Sequence, residues 1–337
     1  MSSATTRTSL LFTAPYQLAV EQESLPPPAP DQLLVQTHLS AISAGTELLF
    51  YRGQVPESMS IDTTIGALTG TVQYPLKYGY TAVGVVIAVG TGVESTWLGR
   101  RVFAFQPHAS HFLATPADLI PLPDDVTFEQ ALFLPTMETA VNFVQDGAPV
   151  LGERVVVLGQ GVVGLLTTQI LAQFPLMTLL TVDHFALRQE RSRQLGAQQA
   201  YDTHAIGQLA GMDADLVYEL TGNPAALNTA LSLTGFDGRI VIGSWYGRKR
   251  AEIDLGGHFH RSRIRLISSQ VSTIAPHYQG RWTKARRFEV VWQLLRKFDP
   301  AALVTHRFPL TAAAEAYALL DQQPATTLQV LFTYDAA

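Results

Sequence analysis

The segment Val155-Val-Val-Leu-Gly159-Gln-Gly161-Val162-Val163-Gly164 passes from an apolar run into a helical one, with three glycines spaced to hold a diphosphate. Gly159 permits a tight turn, Gly161 lets phosphate oxygens reach the backbone, and Gly164 lets helix pack against strand. A helix beginning there presents unpaired N–H groups and the positive end of its dipole. Asp183 follows Gly164 by about twenty residues, where a carboxylate accepts hydrogen bonds from ribose hydroxyls and repels a 2′-phosphate. The pattern predicts a nicotinamide dinucleotide, NAD(H) in preference to NADP(H). His184 and Arg188 stand close enough to soften that preference. A lone glycine triplet is weak evidence and could be a structural turn. Here strand, helix and acid come together.

The elements that must position this loop are legible as a change of period. Residues 1–133 read as β-rich, with strands at 32–39, 79–90, 101–105 and 112–115 punctuated by glycine and proline, as in a small barrel or partly open sandwich. Residues 128–144 read as helical with an interruption at Pro135. From 153 onward strands alternate with helices: strands at 154–158, 179–182, 199–201, 215–219, 239–242 and 264–268, helices at 162–173 and 186–195. Parallel strands need crossover connections, so this alternation predicts a doubly wound parallel sheet of the Rossmann type. A helix at 284–297, a strand at 303–308, a helix at 311–320 and a strand at 328–333 close the chain.

Bulk properties narrow the class. The chain has 337 residues, 47% hydrophobic and 15% charged, enough for two domains with their own cores. A net charge of −5 argues against a nucleic-acid partner. The basic runs 248–250 and 261–265 read as a solvated edge. There are no cysteines, which excludes disulfides, thiolate-bound zinc, iron–sulfur clusters and thiol nucleophiles. The first ten residues do not read as a secretory signal, and no apolar run has the length of a membrane helix. A cytoplasmic, membrane-independent protein acting on a small molecule is expected.

These motifs resemble the medium-chain dehydrogenase/reductase superfamily over nearly the whole chain. The resemblance rests on the glycine loop, on Thr221-Gly222-Asn223, on residues 241–245 ending Gly243-Ser244-Trp245, and on Thr305 to Leu310 before a helix. Ile42-Ser-Ala-Gly-Thr46-Glu47, Phe259-His260 and Ser268-Ser269-Gln270 are more narrowly similar to a branch grouped with bacteriochlorophyllide dehydrogenases, related to threonine and sorbitol dehydrogenases. It implies a GroES-like catalytic domain at 1–133, an NAD-binding Rossmann domain at 134–272, and a segment at 273–337 returning to the first. It further implies cofactor contacts at Thr221, Gly222, Asn223, Gly243, Ser244, Trp245, Ser268, Ser269 and Gln270, and a homodimer. Arg307 would either reach the pyrophosphate or form a plain salt bridge.

The departures from that pattern are informative. Zinc members carry a Cys-Gly-Thr/Ser-Asp segment where this chain has Ser43-Ala44-Gly45-Thr46-Glu47, and Gly-His-Glu where it has Gly79-Tyr80-Thr81. The four-cysteine lobe is missing as well. Hydroxyls are poor zinc ligands, so a zinc-free member is expected. Hydride transfer belongs to the nicotinamide, and the protein must handle one proton and one developing oxyanion. Thr46 matches the hydroxyl that passes the alcohol proton onward, and Tyr80 replaces the lost histidine. A nearby positive group could lower the Tyr80 phenol's pKa. His108 and Glu138 are candidate proton carriers, with His38, Glu47 and His111 as further titratable neighbours. Each has a plainer reading: Tyr80 as pocket wall, the histidines as surface residues, Glu47 as a turn brace, Glu138 as a helix cap. Trp245, Tyr246, Phe259, His260, Tyr278 and Trp282 would suit a bulky ring substrate or be ordinary packing.

Three functions follow: a zinc-independent NAD(H) oxidoreductase interconverting secondary alcohol and ketone, a quinone or enoyl reductase acting on an activated C=C bond, and a non-catalytic dinucleotide-binding protein. Asp183 counts against the second, and the supply of hydroxyl and imidazole groups against the third.

Overall fold

The structure, a computed structural model, describes residues 5–57 and 59–334. The chain forms two compact units, one of Met1–Phe133 with Asp299–Ala337 and one of Leu134–Phe298. The first division falls at 133/134. The second falls at 298/299, not at the expected 272/273.

The first unit opens with a hairpin of β1 (Thr5–Ala14) and β2 (Gln17–Leu25), forming its own two-stranded sheet. Its elements continue with β3 (Leu33–Ile42), α1 (Ala44–Tyr51), β4 (Ala82–Val89), β5 (Arg101–Ala104), β6 (His111–Ala114), β7 (Leu119–Pro121) and α2 (Phe128–Ala131). The hairpin and α1 were not expected. In β2 most side chains are half-buried or exposed, so apolar alternation is weak there; Arg7 and Glu23 stand opposite each other in the hairpin and form an ion pair. Leu33, Val35, Ala82, Val86, Val102 and Phe112 fill the interior of the larger sheet.

The second unit carries α3 (Leu134–Gly147), β8 (Arg154–Leu158), α4 (Val162–Leu171), β9 (Thr178–Val182), α5 (Ala186–Gln194), β10 (Gln199–Tyr201), β11 (Ala214–Glu219), α6 (Ala226–Leu233), β12 (Thr234–Ile242), α7 (His258–Arg261), β13 (Arg265–Ser268) and α8 (Lys284–Phe298). Its six strands pair in parallel in the order β10-β9-β8-β11-β12-β13, the doubly wound arrangement expected. Val156, Leu158, Leu180, Val182, Val217 and Ile240 form its core, against which Tyr246 and Phe259 pack. Those two aromatics thus follow the ordinary-packing reading. The break before α3 lies at 132–133, and Pro135 sits in its first turn, where a missing N–H costs nothing.

Helix α8 explains the shifted boundary. Its Lys284 and Arg287 both bond the Glu138 carboxylate of α3, with Arg287 Nη1 at 3.4 Å. Arg287 is 1% exposed. Such a buried ion pair holds α8 to the dinucleotide-type unit. The chain then returns to the first unit with β14 (Val304–Pro309), α9 (Ala313–Gln322) and β15 (Gln329–Thr333), completing the sheet β14-β15-β3-β4-β5-β7, with β6 paired to β3. Among the described residues no helix is long and apolar enough to cross a membrane.

Candidate functional site

In the second unit the glycine loop leaves β8 with Gly159 at φ +90°, where a Cβ would lie 2.6 Å from the Leu220 carbonyl oxygen. A Cβ on Gly164 would lie 2.0 Å from the Gly159 carbonyl oxygen, while one on Gly161 would meet nothing within 4 Å. Two of the glycines are thus required by the protein's own packing. The third borders open space, as a diphosphate cradle should. Gly161 begins α4 without a side-chain cap, and Leu165 N donates to Gly161 O at 2.9 Å. The amides of Val162, Val163 and Gly164 belong to the turn that a helix leaves unpaired.

Asp183 is 6% exposed at the end of β9. Its Oδ2 accepts from Gln160 N at 2.7 Å and its Oδ1 from Phe185 N at 2.9 Å. The acid therefore ties the glycine loop to its own turn and keeps lone pairs for further donors. Arg188 Nη1 stands 3.9 Å from Asp183 Oδ2, and its guanidinium lies 4.9 Å from the Phe185 ring centre. Burial lowers the Arg188 pKa, and the Asp183 charge opposes this. His184 is exposed, with Nδ1 3.2 Å from Thr203 Oγ1.

At the carboxyl end of β11 the fully buried Glu219 gathers a knot that the sequence reading missed. Its Oε1 accepts from Thr221 N at 2.8 Å and from the Thr221 hydroxyl; its Oε2 accepts from Tyr246 OH at 2.5 Å. Burial and this carboxylate both push the Tyr246 phenol up. Gly222 N donates to Ser244 Oγ at 2.8 Å, and Asn223 N to Thr221 Oγ1 at 3.0 Å. The expected contact residues after β11 and β12 are thereby linked to each other. Gly243 and Trp245 flank Ser244 and are half-buried. Ser268, the last residue of β13, is exposed; beyond it Ser269 Oγ donates to Asp146 Oδ2 at 2.6 Å, and Gln270 folds back on Ser272.

The first unit holds a cluster of hydroxyls. Tyr80 OH donates to Ser43 Oγ, and the Thr46 hydroxyl lies close enough to act on the phenol. Burial raises the Tyr80 pKa more than these two hydroxyls lower it, so the phenol stays protonated at neutral pH and can donate. Among the described residues no cation of the protein is among the groups shifting it, and Glu47 and Asp62 push the same way as burial. Behind this cluster lies a dry network. His108 and Glu47 are both 0% exposed. His108 Nε2 lies 3.0 Å from Glu47 Oε2 and Nδ1 2.7 Å from Ser40 Oγ. Glu47 Oε1 accepts from Ser43 N at 2.7 Å, and Tyr317 donates to Oε2. Gly79, at φ +111°, makes room: a Cβ there would lie 2.6 Å from the His108 ring.

Several expectations change accordingly. His108 is not a free loop imidazole, because both ring nitrogens are engaged inside the protein; it positions Glu47. Glu47 braces the turn into α1, as its plainer reading held. Glu138 belongs to the second unit and is engaged by Lys284 and Arg287. Arg307 pairs with Glu129 at 2.8 Å, both in the first unit, which is the salt-bridge alternative. His38 is exposed and stacks on Phe128, while His111 is half-buried with its pKa lowered by burial.

A catalytic zinc does not fit the donors at the Tyr80 cluster. Ser43, Thr46 and Tyr80 offer hydroxyls, and the adjacent carboxylate of Glu47 has both oxygens bonded within the protein. A dinucleotide does fit the cradle at Gly161 and the acid at Asp183.

Fold and site together define a dehydrogenase-like chain. Within that class, the sequence model of the family described as "Zinc-binding dehydrogenase" matches residues 162–288, in the second unit. The starvation-sensing protein RspB of Escherichia coli K12 is 25% identical over 97% of this chain and 99% of its own length. Human sorbitol dehydrogenase is 23% identical, over 92% of this chain and 91% of its own. The crystal structure of a short chain alcohol dehydrogenase, rspB, from E. coli CFT073 in complex with NADH superposes with a TM-score of 0.78 at 22% identity, covering 97% of this chain and 99% of that one. The likeness to medium-chain, zinc-binding dehydrogenases thus extends over both units.

Proposed function

We propose that this chain is a medium-chain dehydrogenase/reductase that interconverts a secondary alcohol and a ketone with NAD(H), without a catalytic zinc. The observation that carries the reading is the Tyr80–Ser43 hydroxyl pair beside Thr46, with Tyr80 standing where the Gly-His-Glu of zinc members carries its histidine. The nicotinamide, when bound, supplies or accepts the hydride. The amides before Leu165 hold its diphosphate, and Asp183 accepts from the adenosine ribose, favouring NAD(H) over NADP(H). Tyr80, kept neutral by burial, donates a hydrogen bond to the carbonyl oxygen, stabilising the charge that develops there in reduction. Thr46 orients the same oxygen and passes its proton on. His108 and Glu47 hold α1, and with it Thr46, in place.

Similarity to sorbitol dehydrogenase and to an alcohol dehydrogenase supports alcohol–ketone chemistry above C=C reduction. A bulky ring substrate in a biosynthetic pathway follows from the narrower resemblance to bacteriochlorophyllide dehydrogenases. We further propose a cytoplasmic homodimer acting on a small molecule. Initial rates with NADH and NADPH on matched ketone and enone panels test the reading. Ketone turnover preferring NADH is expected. Enone turnover alone, or cofactor binding with no turnover on either panel, would overturn it in favour of the enoyl-reductase or the binding-protein reading.

A further inference from the structure

The strand register of the second unit brings together three donors that the proposed reaction does not use. Strands β9 and β10 pair in parallel with Val182 opposite Tyr201, so the residues just beyond each strand emerge side by side. Beyond β9 stands His184, and beyond β10 stand Asp202 and His204. One donor atom from each of the three lies within 4.8 Å of the others. The two imidazole rings are 5.8 Å apart between centres and inclined at 69°.

We propose that His184, Asp202 and His204 bind a divalent transition metal of the zinc type. Two imidazoles and a carboxylate are the ligand set such ions prefer. Metal–ligand bonds of about 2.0–2.2 Å place tetrahedral donors about 3.4 Å apart, so the three draw together by up to about 1.5 Å. Both histidines are exposed, so they can turn to do so. Asp202 is the fixed member: its Oδ1 accepts from His204 N at 2.8 Å at the start of a 3-10 turn, and Gln189 Nε2 lies 3.4 Å from Oδ2. His184 bonds Thr203 through Nδ1, leaving its other ring nitrogen for the ion. Three protein ligands leave a fourth position to water. The ion would clip the turn carrying Asp183 to the segment after β10, a structural clamp distinct from the Tyr80 cluster in the other unit.

The full chain, stripped with chelator, is titrated with zinc against a chromogenic chelator, alone and as His204→Ala and Asp202→Asn. Asparagine still caps the turn, so the second variant keeps the fold while losing the charged ligand. One zinc per chain is expected, weakened at least tenfold in each variant, and zinc should raise the melting temperature of the wild-type chain alone. No binding, or equal binding in all three proteins, overturns the proposal. Ketone turnover by the stripped chain separates this outcome from the zinc-free reading: equal binding with turnover dependent on zinc would place the ion elsewhere and sink both, whereas turnover without zinc leaves that reading standing whatever the titration gives.

Discussion

At the scale of single residues, the site separates groups that touch ligand from groups that hold them. In the proposed reaction Tyr80 is the first kind. Its phenol is neutral and adjacent to two hydroxyls, so Tyr80→Phe removes one donor to the oxyanion and little packing. Turnover should fall by about 10²–10³, the usual effect of losing one such donor, with NADH affinity in a fluorescence titration unchanged. Full activity in this variant would remove Tyr80 from the chemistry. Because burial raises its pKa, the rate of ketone reduction should show no loss from Tyr80 ionisation between about pH 6 and 9. In the proposed cofactor site Asp183 is both kinds at once, since it braces Gln160 and would accept from the ribose. Asp183→Ser should weaken NADH binding and bring NADH and NADPH affinities together. A retained NADH preference would assign the selectivity to another residue.

At the scale of elements, the strand–turn–helix of β8 and α4 gives the sharpest contrast. Gly164→Ala drives a methyl into the Gly159 carbonyl and should lower both the melting temperature and NADH binding. Gly161→Ala meets nothing in the protein, so melting should be unchanged while NADH affinity drops. Equal behaviour of the two variants would mean the open space at Gly161 is not the cradle. The β1–β2 hairpin supplies a pH-dependent contribution. Burial would raise the Glu23 pKa, but hydrogen bonds from Lys77 and Ser9 and the Arg7 charge outweigh it and hold the group at about 2. A depressed carboxyl stabilises the fold above its ordinary value of 4.5 and loses that contribution as the pH falls towards 2. Glu23 is 38% exposed, so screening limits the effect to about 1 kcal/mol or less. Denaturant midpoints at pH 5 and pH 3 should differ less in Lys77→Met than in the parent.

At the scale of the whole molecule, the proposed zinc-free chemistry rests on the absence of cysteine and the hydroxyl character of the Tyr80 cluster. Exhaustive chelation should therefore leave ketone reduction within about twofold of the untreated chain, measured with zinc content by elemental analysis; a loss restored by zinc would refute metal-free chemistry. The parallel pairing of the second unit's sheet was legible in advance because each crossover forces it, and apolar strand runs mark where the sheet lies; the order of its strands was not. The boundary at 298/299 was not, because the contact that sets it joins Glu138 to Arg287 far along the chain. The hairpin was hidden by its exposed face, and α1 by its eight-residue length.

Local chemistry determined the glycine loop, the acid at 183, the strand–helix alternation and the exclusion of thiolate ligands, since each depends on residue type and near spacing alone. Tertiary structure decided which titratable groups are free. His108 lies 61 residues from Glu47 and Tyr317 lies 270 from it, yet all three meet in one dry cluster, and only folding determines which partners remove an imidazole or a carboxylate from solvent. The neighbourhood of His184, Asp202 and His204 was likewise decided by the register of two parallel strands, a relation between chain segments that no spacing within either one contains.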